Sequence, residues 1–223
     1  VERSRGLGDV YKRQLAAEWR EVLARVLAVL DVYVLGTGRI FQHKVKARVT
    51  QPLDPLHLPT ACNSFAPIIG HQPRTLILGS MPGVASLDAA QYYAHPRNRF
   101  WPLVAQILAL ELPPTYEARL DMLCRHGIAL WDVLAQCERP GSLDSSIRAA
   151  SQEPNAIPTL LAQHTSIQSI LCNGRHAYTA LQKFFPDLKV AVLALPSTSP
   201  ANARWSFERL LGEWRAALKP PPA

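Results

Sequence analysis

The sequence has little with which to build a metal centre or a disulfide framework. Its 223 residues include four cysteines, Cys62, Cys124, Cys137 and Cys172, and no two of them form a C-x-x-C pair. That spacing argues against zinc and iron–sulfur sites and fits a reducing compartment. Long apolar runs are missing as well. The longest candidate, residues 22–35, is broken by Arg25 and Asp31, short of the roughly 18–20 apolar residues that cross a bilayer. No Gly-Lys-Ser/Thr follows a glycine turn, which excludes a Walker phosphate loop, and no G-x-S-x-G nucleophile elbow occurs. Charged residues are only 18% of the chain against 48% hydrophobic ones, a balance too apolar for disorder. A strong excess of one sign is also absent. Ten basic against six acidic side chains leave +4 in residues 1–61, and fourteen against eleven leave +3 in residues 62–223. A net +7 favours a polyanionic partner only weakly.

What is present divides into two unequal parts. Residues 1–14, VERSRGLGDVYKRQ, carry no apolar periodicity and read as a non-native leader. Residues 15–35 carry helical spacing, with Leu15, Trp19, Val22, Leu23, Val26 and Leu30 on one face, and residues 36–61 are linker-like, with prolines at 52, 55 and 59. This 1–61 stretch is either a native extension or translated upstream sequence. The folded domain is expected over residues 62–219, with a frayed tail at 220–223. Its pattern alternates. Strands are predicted at 74–79, 127–132, 167–172 and 188–195, and helices at 98–110, 115–126, 145–150, 156–164, 175–185 and 200–218. Strands separated by helices of 10–15 residues imply right-handed crossovers and a parallel sheet covered on both faces. The expected fold class is α/β, a three-layer α/β/α sandwich around a mostly parallel four-stranded sheet.

In such sheets, ligands bind beyond the carboxyl ends of the strands. The segments there are Gly79-Ser80-Met81-Pro82-Gly83, the chain from Asp132, Asn173-Gly174, and Leu195-Pro196-Ser197-Thr198-Ser199-Pro200-Ala201-Asn202. The first leads to Tyr92-Tyr93-Ala94-His95-Pro96-Arg97-Asn98-Arg99-Phe100-Trp101, a run of aromatics, amides and arginines suited to stacking a flat ring and touching phosphate. Ser199 before Pro200 reads as the cap and first residue of the last helix, where free N–H groups suit phosphate.

Together GSMPG, YYAHPRNRFW, GIALWDVL with RPGSLDSSIR, ILCNG and LPSTSPAN resemble the uracil-DNA glycosylase superfamily, and within it the hypoxanthine-DNA (deoxyinosine) glycosylase branch, close to the mismatch-specific uracil glycosylases. The resemblance covers residues 64–218. It implies a monofunctional glycosylase that flips a deaminated base (hypoxanthine, with uracil or xanthine as further candidates) out of DNA and hydrolyses its N-glycosidic bond in base-excision repair. It further implies damaged DNA as partner, no cofactor, no metal, no membrane, a monomer, and a cytoplasmic location, at the nucleoid if the source is bacterial. Many relatives carry Asp or Asn at the place of Met81, and His or Asn at the place of Leu195. Both are apolar here, as in the hypoxanthine branch, whose catalytic asparagine matches Asn98.

On that resemblance Asn98 is expected to orient the water, against the alternative that it caps the next helix. Tyr93 is expected to stack on the base. Asp132 is expected to read it by accepting from the N1–H that hypoxanthine has and adenine lacks, against pairing with Arg139. Gly79, Ser80 and Met81 complete the base site, and the backbone N–H groups around Met81-Pro82-Gly83 are expected to hold O6 and the growing charge as an oxyanion hole does. Ser197, Thr198, Ser199, Asn202, His95 and Arg97 are expected on the DNA, and Arg99, Arg139 and Arg204 on a positive face. No lysine lies in any motif, so no Schiff base is expected. Rival readings are a mismatch uracil or ethenocytosine glycosylase, a non-catalytic DNA-binding module of the same fold, and a serine hydrolase.

Overall fold

The computed structural model describes residues 61–218. The expected leader, apart from Ala61, and the expected tail lie outside the described residues. Four strands form the central sheet: β2 (Thr75–Gly79), β3 (Ile128–Asp132), β6 (Ser169–Asn173) and β7 (Ala191–Leu195). Their order is β3-β2-β6-β7 and every neighbouring pair is parallel. The register sets Gly79 opposite Asp132 and Asn173 opposite Leu195, so the ends of all four strands open on one rim.

These strands are continuous apolar runs because both faces are buried. Side chains alternate across a strand, and the two sets enter different cores. Ile77, Leu130 and Leu171 pack with Phe100, Leu103, Leu210 and Trp214. Leu76, Leu78, Ile170 and Cys172 pack with Ile157, Leu160, Ala177 and Leu181. The helices that supply these partners are α2 (Phe100–Ile107), α3 (Tyr116–Arg125) and α6 (Phe207–Ala217) on one face, and α4 (Ile157–Gln163) and α5 (Arg175–Phe184) on the other. A short α1 (Val84–Ala89) follows the GSMPG turn. The three-layer expectation holds.

Three local expectations need correction. A second, antiparallel sheet of order β1-β4-β5 joins β1 (Ala61–Asn63), β4 (Leu134–Glu138) and β5 (Glu153–Pro154). It was not legible because β1 and β5 are only three and two residues long and β1 pairs with β4 across more than 70 residues, Cys62 opposite Cys137. Residues 145–150 are not one helix but two single 3-10 turns, Asp144–Ser146 and Ala149–Ser151. The closing helix starts at Phe207, capped by the Ser206 hydroxyl accepting from Arg209 N–H, and not at Pro200. The reason for the last is Arg99, whose guanidinium donates to the carbonyls of Ser199 and Asn202 at 2.9 and 3.1 Å, and to that of Trp205. Charge-assisted bonds of this kind are about twice as strong as neutral ones, and they hold carbonyls that a helix would otherwise claim.

Candidate functional site

A cavity of about 840 Å³ lies at the carboxyl ends of the central strands. Strand order reverses there between β2 and β6, the place where open α/β sheets bind ligands. Its walls are the 79–83 turn, the 142–145 turn, Asn173 and Gly174, and the 194–202 segment, with Tyr93, His95, Asn98 and Asp132 completing the lining. The volume falls within the range of sites that enclose small organic ligands.

Two arginines, both expected on a surface face, instead brace the walls. Arg99 grips the 198–205 loop as described. Arg139 has no exposure; it donates to the carbonyls of Met81, Pro82 and Gly141 and lies 3.8 Å from Asp144. One buried cation thus ties the 79–83 turn to the 141–144 turn. Removing one partner of a buried, hydrogen-bonded charge costs about 3–5 kcal/mol. Arg139→Met is therefore expected to lower Tm by roughly 6–20 °C at 2–4 °C per kcal/mol, measured by thermal unfolding; an unchanged Tm would show the brace to be idle.

The amide of Asn98 stands at the cavity. Its Oδ1 accepts from Phe100 N–H at 3.0 Å and from the Thr198 hydroxyl at 3.1 Å. Asn98 thus ties the start of α2 and also lines the cavity. Thr198 is a correction. It is wholly buried, its N–H donates to Asn173 Oδ1 and its hydroxyl accepts from Asn173 Nδ2, both at 2.9 Å. With its carbonyl also taken by Arg99, it has nothing left for a DNA phosphate. Asn173, which ends β6, is the anchor of this chain.

Asp132 ends β3 and is 3% exposed. Its Oδ2 accepts from the Ser64 hydroxyl at 2.8 Å, and it does not form an ion pair with Arg139. Burial pushes its carboxyl up to about 7, against a lowering by Ser64. Gly79, expected in the base site, is constrained by this carboxylate. A Cβ on Gly79 would sit 2.3 Å from Asp132 Oδ1. Gly79→Ala is expected to cost about 1–3 kcal/mol by overpacking, read as a fall in denaturant midpoint at constant m; no loss would mean that Asp132 swings away freely.

Tyr93 takes a left-handed backbone, φ 56°, which costs a non-glycine residue about 1–2 kcal/mol. The ring so placed stacks on Phe100 at 3.9 Å and 24° and lines the cavity. Its hydroxyl is buried without a hydrogen-bond partner in the protein. Burial first, and then the Asp132 carboxylate, push that hydroxyl above the usual tyrosine range.

The remaining expected residues divide. Met81 and Leu195, 6% and 7% exposed, are apolar lining, and Ser80 lines the same wall. His95 accepts from Arg97 N–H at Nδ1, which leaves Nε2 as its donor. Ser197 and Ser199 hydroxyls accept from Ser199 and Ala201 N–H. Asn202 is not in a helix; its Nδ2 donates to Ser197 carbonyl at 2.9 Å, closing the loop on itself. Arg97 and Arg204 are exposed. Sequence reasoning missed Ser64, whose only signal was its place at the domain start, and Asn173. Among the described residues no three His, Cys, Asp or Glu side chains converge as metal ligands, and no helix is long and apolar enough to cross a membrane.

Comparison with known proteins agrees with this architecture. Residues 67–219 match the model of the uracil DNA glycosylase superfamily. A hypoxanthine DNA glycosylase of Methanosarcina barkeri is 35% identical over 159 residues, covering 70% of this chain and 96% of that protein. The hypoxanthine DNA glycosylase of Methanosarcina acetivorans is 34% identical over 156 residues, with the same coverage. The solution NMR structure of a Methanosarcina acetivorans protein described as a uracil DNA glycosylase superposes with a TM-score of 0.63 at 32% identity, over 72% of this chain and 98% of that one.

Proposed function

The chain belongs to the uracil DNA glycosylase superfamily, and from that premise we propose that it draws a deaminated base, hypoxanthine before uracil or xanthine, into the cavity and hydrolyses its N-glycosidic bond with water. It is a DNA glycosylase acting on deaminated bases in DNA. The observation that carries the finer reading is the meeting of Asn98 and Asp132 on one cavity.

The chemistry follows from which groups are present. Cleavage leaves positive charge on the sugar and spreads negative charge onto the departing base. Met81 and Leu195 can neither accept a proton nor hold a water, so no strong base stands at their positions. The neutral amide of Asn98 orients the attacking water, which lets the sugar's developing positive charge draw it in. Asp132, once ionised, accepts from the N1–H of hypoxanthine. Adenine places a lone pair there, and a buried acceptor facing a lone pair goes unpaired, at a cost of about 1–3 kcal/mol. Tyr93 supplies the stacking wall, worth roughly 1–3 kcal/mol per base. His95 Nε2 and the N–H groups of Met81 and Gly83 face the charge that grows on the base; Pro82 has none to give. In this reading Arg97, Arg204, Ser197 and Ser199 meet phosphates flanking the lesion. No lysine lines the cavity, which supports water over an amine as nucleophile, with a monomer acting on its own.

The test is base release from duplexes carrying hypoxanthine, uracil or xanthine, followed by alkali. Hypoxanthine should leave fastest, and strand breaks should appear only after alkali. Breaks without alkali would overturn the monofunctional reading. DNA binding with no alkali-labile site would make the protein a binding module, and preference for uracil in mismatches would place it with the mismatch-specific enzymes.

A further inference from the structure

We propose that Thr198 is a positioning residue, locking the Asn98 amide in one orientation with its NH2 donors turned to the cavity; this rests on Asn98 acting in hydrolysis. An asparagine side chain can turn over and exchange its oxygen and nitrogen at small cost unless its partners forbid it. Here each partner is decided by a group that cannot change role. Thr198 N–H is a donor, so the atom of Asn173 that faces it at 2.9 Å is Oδ1. The other end of that amide, Nδ2, then donates to Thr198 Oγ1, also at 2.9 Å. A hydroxyl that accepts there has one proton to give, and it goes to Asn98 Oδ1 at 3.1 Å. Phe100 N–H reaches the same Oδ1 at 3.0 Å. Both acceptor sites of that oxygen are filled, and Nδ2 is the only polar atom Asn98 has left for the cavity it lines.

The relay begins at the carboxyl end of β6 and crosses to the loop after β7. Gly174 makes the crossing possible: its φ is 106°, and a Cβ there would lie 2.9 Å from Ser197 Cβ. The sheet therefore sets the amide. Asn98 offers donors, to the oxygen of the attacking water and to the charge growing on the base, and it does not abstract a proton.

The experiment compares Thr198→Val, which keeps the shape and removes the hydroxyl, with Thr198→Ser, which keeps the hydroxyl. Single-turnover release of hypoxanthine should fall about tenfold in T198V, as one hydrogen bond's worth of orientation is lost, and stay within about twofold in T198S. Affinity for the inosine duplex should move less than about twofold in both. In an Asn98→Ala background, T198V should add nothing, since residues that act as a unit are non-additive. Additive losses, or equal losses in T198S and T198V, would overturn the proposal. The side-chain amide of Asn98 gives a readout independent of turnover: one sharp pair of NMR resonances in the wild type, and two or broadened pairs in T198V. An unchanged pair would also overturn it. If T198V does not fold, Thr198→Ala replaces it. A wild type that releases no base at all would sink the reading of Asn98 in hydrolysis, a separate result from an active wild type indifferent to residue 198.

Discussion

Asn98→Ala lowers single-turnover hypoxanthine release by about 10²–10³-fold, the usual loss when one pre-organised donor is removed from a developing charge. DNA binding should change little, because the side chain contributes one amide to a large interface. A second variant separates the two jobs of this residue. Asn98→Asp retains an oxygen for Phe100 N–H and for the Thr198 hydroxyl, and replaces only the cavity-facing NH2. If the rate depends on the donor, N98D falls as far as N98A while its Tm stays near that of the wild type. If N98D keeps or exceeds the wild-type rate, the position works as a base, and the donor assignment is lost. Equal rates for wild type and N98A would remove Asn98 from the mechanism.

The second large effect concerns pH. Burial pushes the Asp132 carboxyl from 3.8 up to about 7. If its ionised form reads N1–H, hypoxanthine release rises as pH climbs through about 7 and levels above it. Asp132→Asn abolishes that step, since an amide does not titrate, and Asp132→Ala slows inosine processing more than it weakens DNA binding. A rate that falls across the same window would mean that the neutral acid donates, and the assignment would be reversed. Stability moves the opposite way. A carboxyl whose folded pKa is raised contributes stability that is complete below its unfolded pKa and is lost as pH rises through its folded pKa. Ionising the buried group costs the folded state roughly 4 kcal/mol between pH 4 and 8, at about 1.4 kcal/mol per unit. Asp132→Asn should therefore gain stability over the wild type at pH 8 and show little gain at pH 4, in paired denaturant titrations. The site would then be carrying a cost to the fold that its chemistry requires.

The two effects arise from one construction. Asp132 ends a strand and Asn98 precedes a helix, and both are fixed by segments distant in sequence. Ser64 reaches Asp132 across 68 positions, and Thr198 reaches Asn98 across 100. Arg99 and Arg139, which composition alone assigns to a basic face, spend their donors on loop carbonyls. Among the residues that line the cavity, Arg175 is the one exposed arginine. This fits a chain with only +3 over residues 62–223.

The amino-acid order alone settled the layer architecture, because apolar runs bounded by glycine and separated by amphipathic helices bury well only as a parallel sheet covered on both faces. It also marked the turns that line the cavity, since those turns follow the strands directly. What it could not settle were roles that depend on who faces whom. Ser199-Pro200 has every local mark of a helix start, yet a guanidinium 100 residues away takes the carbonyls that helix would use. Thr198 looks like a surface hydroxyl and is sealed between two asparagines. Asp132 could have paired with an arginine and instead hydrogen-bonds a serine, and its burial raises its pKa to about 7. Hydrophobic periodicity is a property of neighbours along the chain, whereas hydrogen-bond partners and desolvation exist only once distant segments close on one another.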